Sequence, residues 1–513
     1  MNLLPPFVQN NIPLLVVLAP LLASPLIVLF QNRTIAFLFA MLAAGISFIL
    51  SLAMLGMVMD GSTLSYHIGG WIPPLGIEYR VDAASAFVLV LVSMIAFIMM
   101  PYAHKSIDVE IDRRHHTLFY ASFMLCFCGL MGITITGDAF NVFVFLEISS
   151  LSTYALVALG AKRDRRALSA AYDYLILGTI GATFFVIGLG FIYMATGTLN
   201  MVDLAERLSA LEDNRTVRSG VAFIVIGLGL KLAMFPMHRW LPGAYTYAPS
   251  AISVFLAATA TKVALFVVMR FLFNVFTADF DFERDLLEFI VMPLAITAMF
   301  VGSLIAIYQA DFKRLLAFSS IAQIGYMLLG LCLLNIEGVS ASLLHMFNHG
   351  ITKGALFMAA GALLYRNKDV LVAQMAGLGK RMPLTAAAIG IGLLSLIGVP
   401  GTAGFVSKWV LLNATLERGW WPVTALIVMS SLVTVFYSWR LMEIMYLQPA
   451  PDGAAKKEAP LALLLPLWIL TIATIWFGLQ GNLTISAATA GAESLLNGGF
   501  LTDTPIIVGT PGR

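Results

Sequence analysis

Charge is scarce in this chain. Only 11% of its 513 residues are Asp, Glu, Lys or Arg, while 60% are hydrophobic. Soluble domains are about a quarter charged and about half apolar, so water alone cannot solvate this composition and lipid must. Cysteine is scarce as well. Cys126, Cys128 and Cys332 all lie in apolar runs, too few for a disulfide framework and without paired metal spacing. A net charge of +2, with no basic cluster interleaved with aromatics, gives no footing for nucleic acid. Gly188-Leu189-Gly190 follows no strand, and Gly377-Leu378-Gly379-Lys380 lacks phosphate-loop spacing. No serine or cysteine triad is visible. The expectation is therefore no cofactor, no metal and no catalysis by this chain alone. The first apolar run has no Lys or Arg before it, so it lacks a signal peptide's charged n-region and reads as a retained helix.

What the chain does have is apolar runs of about 18 residues or more from end to end, each long enough to cross the hydrocarbon. The runs do not alternate as barrel strands would. They predict an all-α integral membrane protein with about fourteen helices at 12–30, 35–58, 84–103, 117–136, 139–160, 172–196, 219–248, 250–276, 286–309, 314–335, 338–364, 383–416, 421–447 and 459–480. The seventh and twelfth are interrupted.

Lys and Arg partition between the two sets of loops by better than two to one. Arg33, Lys105, Arg113, Arg114, Lys162, Arg163, Arg165, Arg166, Arg239, Lys313, Arg314, Arg366, Lys368, Lys380, Arg381, Lys456 and Lys457 fall on one side. Arg80, Arg207, Arg215, Arg218, Arg270, Arg284, Arg418 and the terminal Arg513 fall on the other. By the positive-inside rule this puts both termini outside the cytoplasm, in a multi-pass protein of a bacterial inner (plasma) membrane. The charge runs read as topology signals, and His115 and His116 as solvated.

Subtracting loop and helix-end cations leaves Lys231, Lys262, Lys353 and Lys408 inside apolar runs, with Glu147 as their acidic counterpart. An ionisable group at the bilayer centre costs at least ~2.5–3.5 kcal/mol, so it faces a bundle interior and carries function. Glu147 sits in Phe143-Val144-Phe145-Leu146-Glu147-Ile148. A nearby cation would stabilise its charge and burial would oppose it, so moving the cation switches the carboxylate. The alternative is a static ion pair joining two helices. Lys231 precedes Pro236, which opens the helical ladder, and such breaks are tolerated where they line a cavity. Lys262 lies on the next helix. His345, His349 and Lys353, at i, i+4 and i+8, share one helix face, a relay geometry for groups that titrate near neutrality. A zinc site would need the HExxH glutamate, and Met346, Phe347 and Asn348 stand between the histidines instead. Structural histidines are the other alternative. Lys408 follows a second break at Gly398, Pro400 and Gly401. Two interrupted segments, one per half, suggest internal repeats with the site at the breaks. Lys231 and Lys408 are 177 positions apart, and 138–159 corresponds to 311–331 at an offset near 172–173.

Five stretches carry a resemblance: FNVFVFLEISSLSTYALVALG (140–160), KLAMFPMHRWLPGAYTYAPSAISVFLAATATK (231–262), DFKRLLAFSSIAQIGYM (311–327), HMFNHGITKGALF (345–357) and GLGKRMPLT (377–385). They resemble the proton-translocating membrane subunits shared by respiratory complex I and the Mrp-type cation/proton antiporters, over nearly the whole chain. The resemblance implies two inverted five-helix repeats with broken helices 7 and 12. It divides a single membrane domain, 1–513, into helices 1–3 at 12–103, a first repeat at 117–276, a second at 286–447, helix 14 at 459–480 and a short C-terminal tail. It implies that Glu147, Lys231, Lys262, His345, His349, Lys353 and Lys408 form a proton path, with breaks at Pro236 and Pro400. The run WLPGAYTYAPSAISVFLAATATKV is most similar to the antiporter's D-type subunit, and Lys408, rather than glutamate, suits the D-type or the complex I N-type. Asp173 departs from a usual lysine, and Gln323 stands where some members carry histidine. The implied partners are other membrane subunits, H⁺ and Na⁺ or another monovalent cation. The alternatives are an N-type pumping subunit of a quinone-reducing or hydrogenase complex and a non-conducting assembly subunit.

Overall fold

The computed structural model describes residues 5–211, 214–276, 281–367, 369–451, 457–502 and 504–509. Lys368, Lys456 and Arg513 of the charge pattern lie outside the described residues. In hydrocarbon every backbone N–H and C=O must be satisfied within the protein, and a helix does this within one segment. Among the described residues, eleven helices are long and apolar enough to cross a bilayer, from Pro6–Phe30 through Ala139–Lys162, Ser250–Val275 and Phe312–Leu331 to Leu461–Leu479. The remaining three expected runs are helical too. Arg215–Leu232 breaks before Trp240–Tyr247, Ile336–Asn367 is continuous, and Pro383–Ile397 breaks before Ala403–Glu417.

The breaks follow from local chemistry. Ala233 ends the first half-helix at φ 60°, and Pro236 follows with no N–H to continue the ladder. The freed Leu230 carbonyl accepts from the Trp240 indole at 2.8 Å. At the second break Gly398 and Gly401 take φ 90° and 86°, conformations that glycine adopts without a Cβ penalty. The Ile336–Asn367 helix is buried from Gly338 to Leu364 and forms the hub of the second half.

The two halves carry the same joint. Asp138 caps Ala139–Ala158 by accepting from Asn141 N at 2.7 Å, and Asp311 caps Phe312–Leu331 by accepting from Arg314 N at 2.9 Å. Beside each cap a loop strand bonds twice: Ala139 N to Leu199 O and Met201 N to Gly137 O in one half, Phe312 N to Val370 O and Val372 N to Ala310 O in the other.

Three features were not expected. A π-turn, Leu256–Ala260, widens the helix just before Lys262. The tail folds: Asn482–Leu496 is a helix, and Ile506–Val508 adds a parallel strand to the antiparallel hairpin Leu64–His67/Glu78–Val81. Several cations assigned to loops are buried. Arg270 pairs with Asp82 at 2.6 Å, Arg80 pairs with Glu78 at 3.0 Å, and Lys313 donates to Ala248 O at 2.8 Å. His116 is buried as well, its Nε2 3.2 Å from Ile111 O, which corrects its reading as solvated. Each finds its partner elsewhere in the chain or in the adjoining turn, so burial costs far less than for an isolated charge.

Candidate proton-relay site

The first cluster forms where the Ala139–Ala158 helix meets the Arg215–Leu232 half-helix. Lys231 sits in the last turn of that half-helix, where the unpaired carbonyls favour a cation. Its ammonium donates to Ser150 Oγ at 2.8 Å and lies 3.7 Å from Glu147 Oε1. The ion pair is therefore close but not hydrogen-bonded, and the serine takes the direct bond. Glu147 is not enclosed, because its side chain keeps 26% of its surface on the outer face of the bundle. A cavity of about 40 Å³ lies against Lys231, lined by Ser149, Ser150, Thr153 and Tyr174 with Ala260 and Val263 opposite. A polar cavity needs roughly 10–15 Å³ to admit a water molecule, so this one has room for at least one.

Lys262 is fully buried on the far side of that wall. Its ammonium donates to Ala257 O, a carbonyl of the π-turn. Gly350 packs directly on the neighbouring Ala258 carbonyl, so this turn meets the Ile336–Asn367 helix one residue past His349.

The second cluster follows that helix. The His345 and His349 rings stack with centroids 6.0 Å apart, as i, i+4 spacing requires. His345 Nε2 donates to Gln323 Oε1 at 2.8 Å, and Nδ1 lies at hydrogen-bond distance, 2.8 Å, from Ser407 Oγ. Both ring nitrogens of His349 are buried without a hydrogen-bond partner among the described residues. Lys353 donates to Leu316 O at 2.7 Å and to Ser319 Oγ. Lys408 reaches back across the second break to the last carbonyls of Pro383–Ile397, Leu396 O at 2.9 Å and Ile397 O at 3.2 Å. It also contacts Ser431 Oγ at 3.1 Å and lies 4.5 Å from the Tyr326 ring centre.

All seven ionisable residues singled out in the sequence thus lie in two clusters joined through the Leu256–Ala260 turn. Gln323, Ser407, Ser150 and Ser319 belong with them and carried no signal of their own, except that Gln323 was noted as a departure. Asp173 is exposed on the surface of its helix, outside both clusters. No group of three or more metal-ligating side chains occurs among the described residues.

The sequence profile of the family described as NADH:quinone oxidoreductase/Mrp antiporter, transmembrane, matches residues 136–434. The chain belongs to this family. Within it, the N-type subunit of the NADH-quinone oxidoreductase of Desulforudis audaxviator is 38% identical over 93% of this chain and 97% of that protein. The D-type subunit of the Na⁺/H⁺ antiporter of Bacillus subtilis is 27% identical over 95% of this chain and 98% of that one. A chain in the Mrp complex structure from a Dietzia species superposes with a TM-score of 0.87 at 25% identity, covering 96% of this chain and 100% of its own length. The matched region spans both helix breaks and every residue of the two clusters.

Proposed function

We propose that this chain is the proton-translocating subunit of a multisubunit Na⁺/H⁺ or other monovalent-cation antiporter. It would have fourteen membrane-spanning helices, inverted repeats at 117–276 and 286–447, both termini outside the cytoplasm of a bacterial inner membrane, and other membrane subunits as partners. The observation that carries this reading is the Glu147–Lys231 pair at 3.7 Å, held at the end of a broken helix beside a small cavity.

A proton binds the Lys231 amine, and Glu147 stabilises the resulting ammonium. When the carboxylate moves away, the lysine loses the partner that stabilises its charge, and its proton affinity falls. The proton passes to Lys262, to His349 and His345, and along the second cluster to Lys353 and Lys408. The unpartnered nitrogens of His349 suit bridging water, which buried polar atoms normally require. Sodium needs several oxygen ligands, whereas the buried ionisable groups here are mostly amines and imidazoles, which favours protons as the ion this chain carries.

Glu147→Ala and Lys231→Ala are expected to lower cation-driven proton movement in inverted vesicles by tenfold or more, with normal expression. Near-normal transport would remove both residues from the mechanism. A second reading, an N-type pumping subunit of a respiratory complex, is favoured by the 38% identity to an N-type relative. Gene neighbours separate the two: small antiporter subunits in one case, flavin and iron–sulfur subunits in the other.

A further inference from the structure

Among the described residues, the proposed path leaves one fully buried lysine unused, and one buried acid inside a helix. The two meet. Lys313 is fully buried in the first turn of Phe312–Leu331, and Glu110 is 4% exposed in the last turn of Ala83–Glu110. Neither pairs directly with the other within 4 Å. Each instead holds one end of the same short connector between Trp240–Tyr247 and Ser250–Val275. Glu110 accepts from Ser250 N at 2.8 Å, from Ser250 Oγ at 3.1 Å and from Ser106 Oγ at 2.5 Å. Lys313 donates to Ala248 O at 2.8 Å. The backbone groups that hold the acid and the amine are thus separated along the connector by Pro249 alone, a residue with no N–H.

This pair has an outside and an inside. The residue after Glu110, Ile111, offers its carbonyl to Lys162 at 3.1 Å and to His116 at 3.2 Å. Lys162 is only part-buried and lies 3.6 Å from half-exposed Asp112, so solvent is one residue away. On the inner side, Lys353 donates to Leu316 O, one helical turn, about 4.5 Å of rise, from Lys313. Ionisable groups are costly in a water-poor interior, and where a membrane protein keeps them buried they mark ion pathways.

Resting on the transport reading above, we infer that Glu110 and Lys313 are relay residues that pass protons between the bundle end bearing Lys162 and Lys353. In one direction, the Glu110 carboxylate takes a proton from water near Lys162 and gives it to the neutral Lys313 amine. The resulting ammonium then protonates the Lys353 amine through intervening hydroxyl or water. Each step moves one proton and leaves its donor ready for the next, so no co-reactant is needed.

Three variants in the whole complex test this, measured as proton movement in inverted vesicles after checking assembly. Glu110→Gln keeps every hydrogen bond, its carbonyl accepting from Ser250 and its amide donating to Ser106, but it carries no exchangeable acid. Lys313→Arg still donates to Ala248 but stays protonated at any working pH. Glu110→Asp keeps the acid and shortens its reach. Relay predicts a loss of tenfold or more for Glu110→Gln and Lys313→Arg, with Glu110→Asp the more active of the two Glu110 variants. A purely structural clamp predicts the reverse order at position 110, and that order overturns the proposal. Wild-type rates for Glu110→Gln and Lys313→Arg beside an inactive Glu147→Ala also overturn it, leaving the transport reading standing. Wild-type rates in all of these, Glu147→Ala included, overturn both.

Discussion

Lys231 and Lys408 look mismatched in sequence, because one precedes its proline and the other follows it. The structure resolves this through side-chain reach. Lys231 belongs to the last turn of its half-helix, whereas Lys408 starts on the second half-helix and stretches back to Leu396 O and Ile397 O. Both ammonium groups therefore sit at the negative end of a half-helix dipole. Lys408→Arg is expected to keep those two carbonyl bonds and the assembled state but to lose proton transport tenfold or more, since a guanidinium does not release its proton. Normal transport by that variant would mean Lys408 acts only as a cap. The breaks and the buried lysines were legible because proline, glycine and charge are conspicuous in an apolar run. Gln323 and Ser407 were not legible as His345 partners, since an uncharged polar residue announces nothing until folding brings it alongside. Lys313 was misread because it adjoins Arg314 at a helix start, where a lysine ordinarily signals topology.

At the scale of elements, helix positions were readable from hydrocarbon-length apolar runs. The Leu256–Ala260 π-turn was not, because no proline, glycine or charge marks it; the Ala258 carbonyl within it packs against Gly350 of a helix far along the chain. The hairpin and its third strand were missed because runs of three or four residues carry no periodicity. Asp82, which follows the second strand and sits outside the apolar spans, ties the start of Ala83–Glu110 to Arg270 and to Ser494. Burial works against its charge, yet the Arg270 guanidinium, Ser494 and the Ser85 N–H together hold its carboxyl at about 2. An unfolded Asp ionises near 3.8, so the stabilisation is fully present above about pH 4. It is lost as pH falls toward 2. Thermal unfolding in detergent should show that acid loss, and Asp82→Asn should flatten it. Arg270→Ala leaves a buried carboxylate without its cation and should destabilise by ~3–5 kcal/mol. An unchanged melting temperature would mean that this corner unfolds independently of the rest.

The whole molecule presents large apolar side chains to its surroundings, as a membrane protein must. One such strip carries a carboxylate of the proposed path. Phe140, Val144 and Leu151 are exposed at 45%, 38% and 58% on the same helix as Glu147, which is itself partly uncovered. Lipid is a costly neighbour for that group, whereas a partner subunit can cover it. Leu151→Cys should react with a membrane-permeant maleimide in the isolated chain and be protected in the assembled complex. The native cysteines are all buried and give little background. Equal labelling in both states would put lipid against this face. That the two halves share the Asp138 and Asp311 joint was visible in the sequence only as an offset of similar residues. The matching backbone bonds make it concrete.

The parallel pairing of Ile506–Val508 with Leu64–Tyr66 also orders events during synthesis. More than four hundred residues leave the ribosome between the first strand and its third-strand partner. The hairpin stays two-stranded until residues 506–508 have been made. A product terminated before them lacks the strand that clasps the end of the chain to the early hairpin.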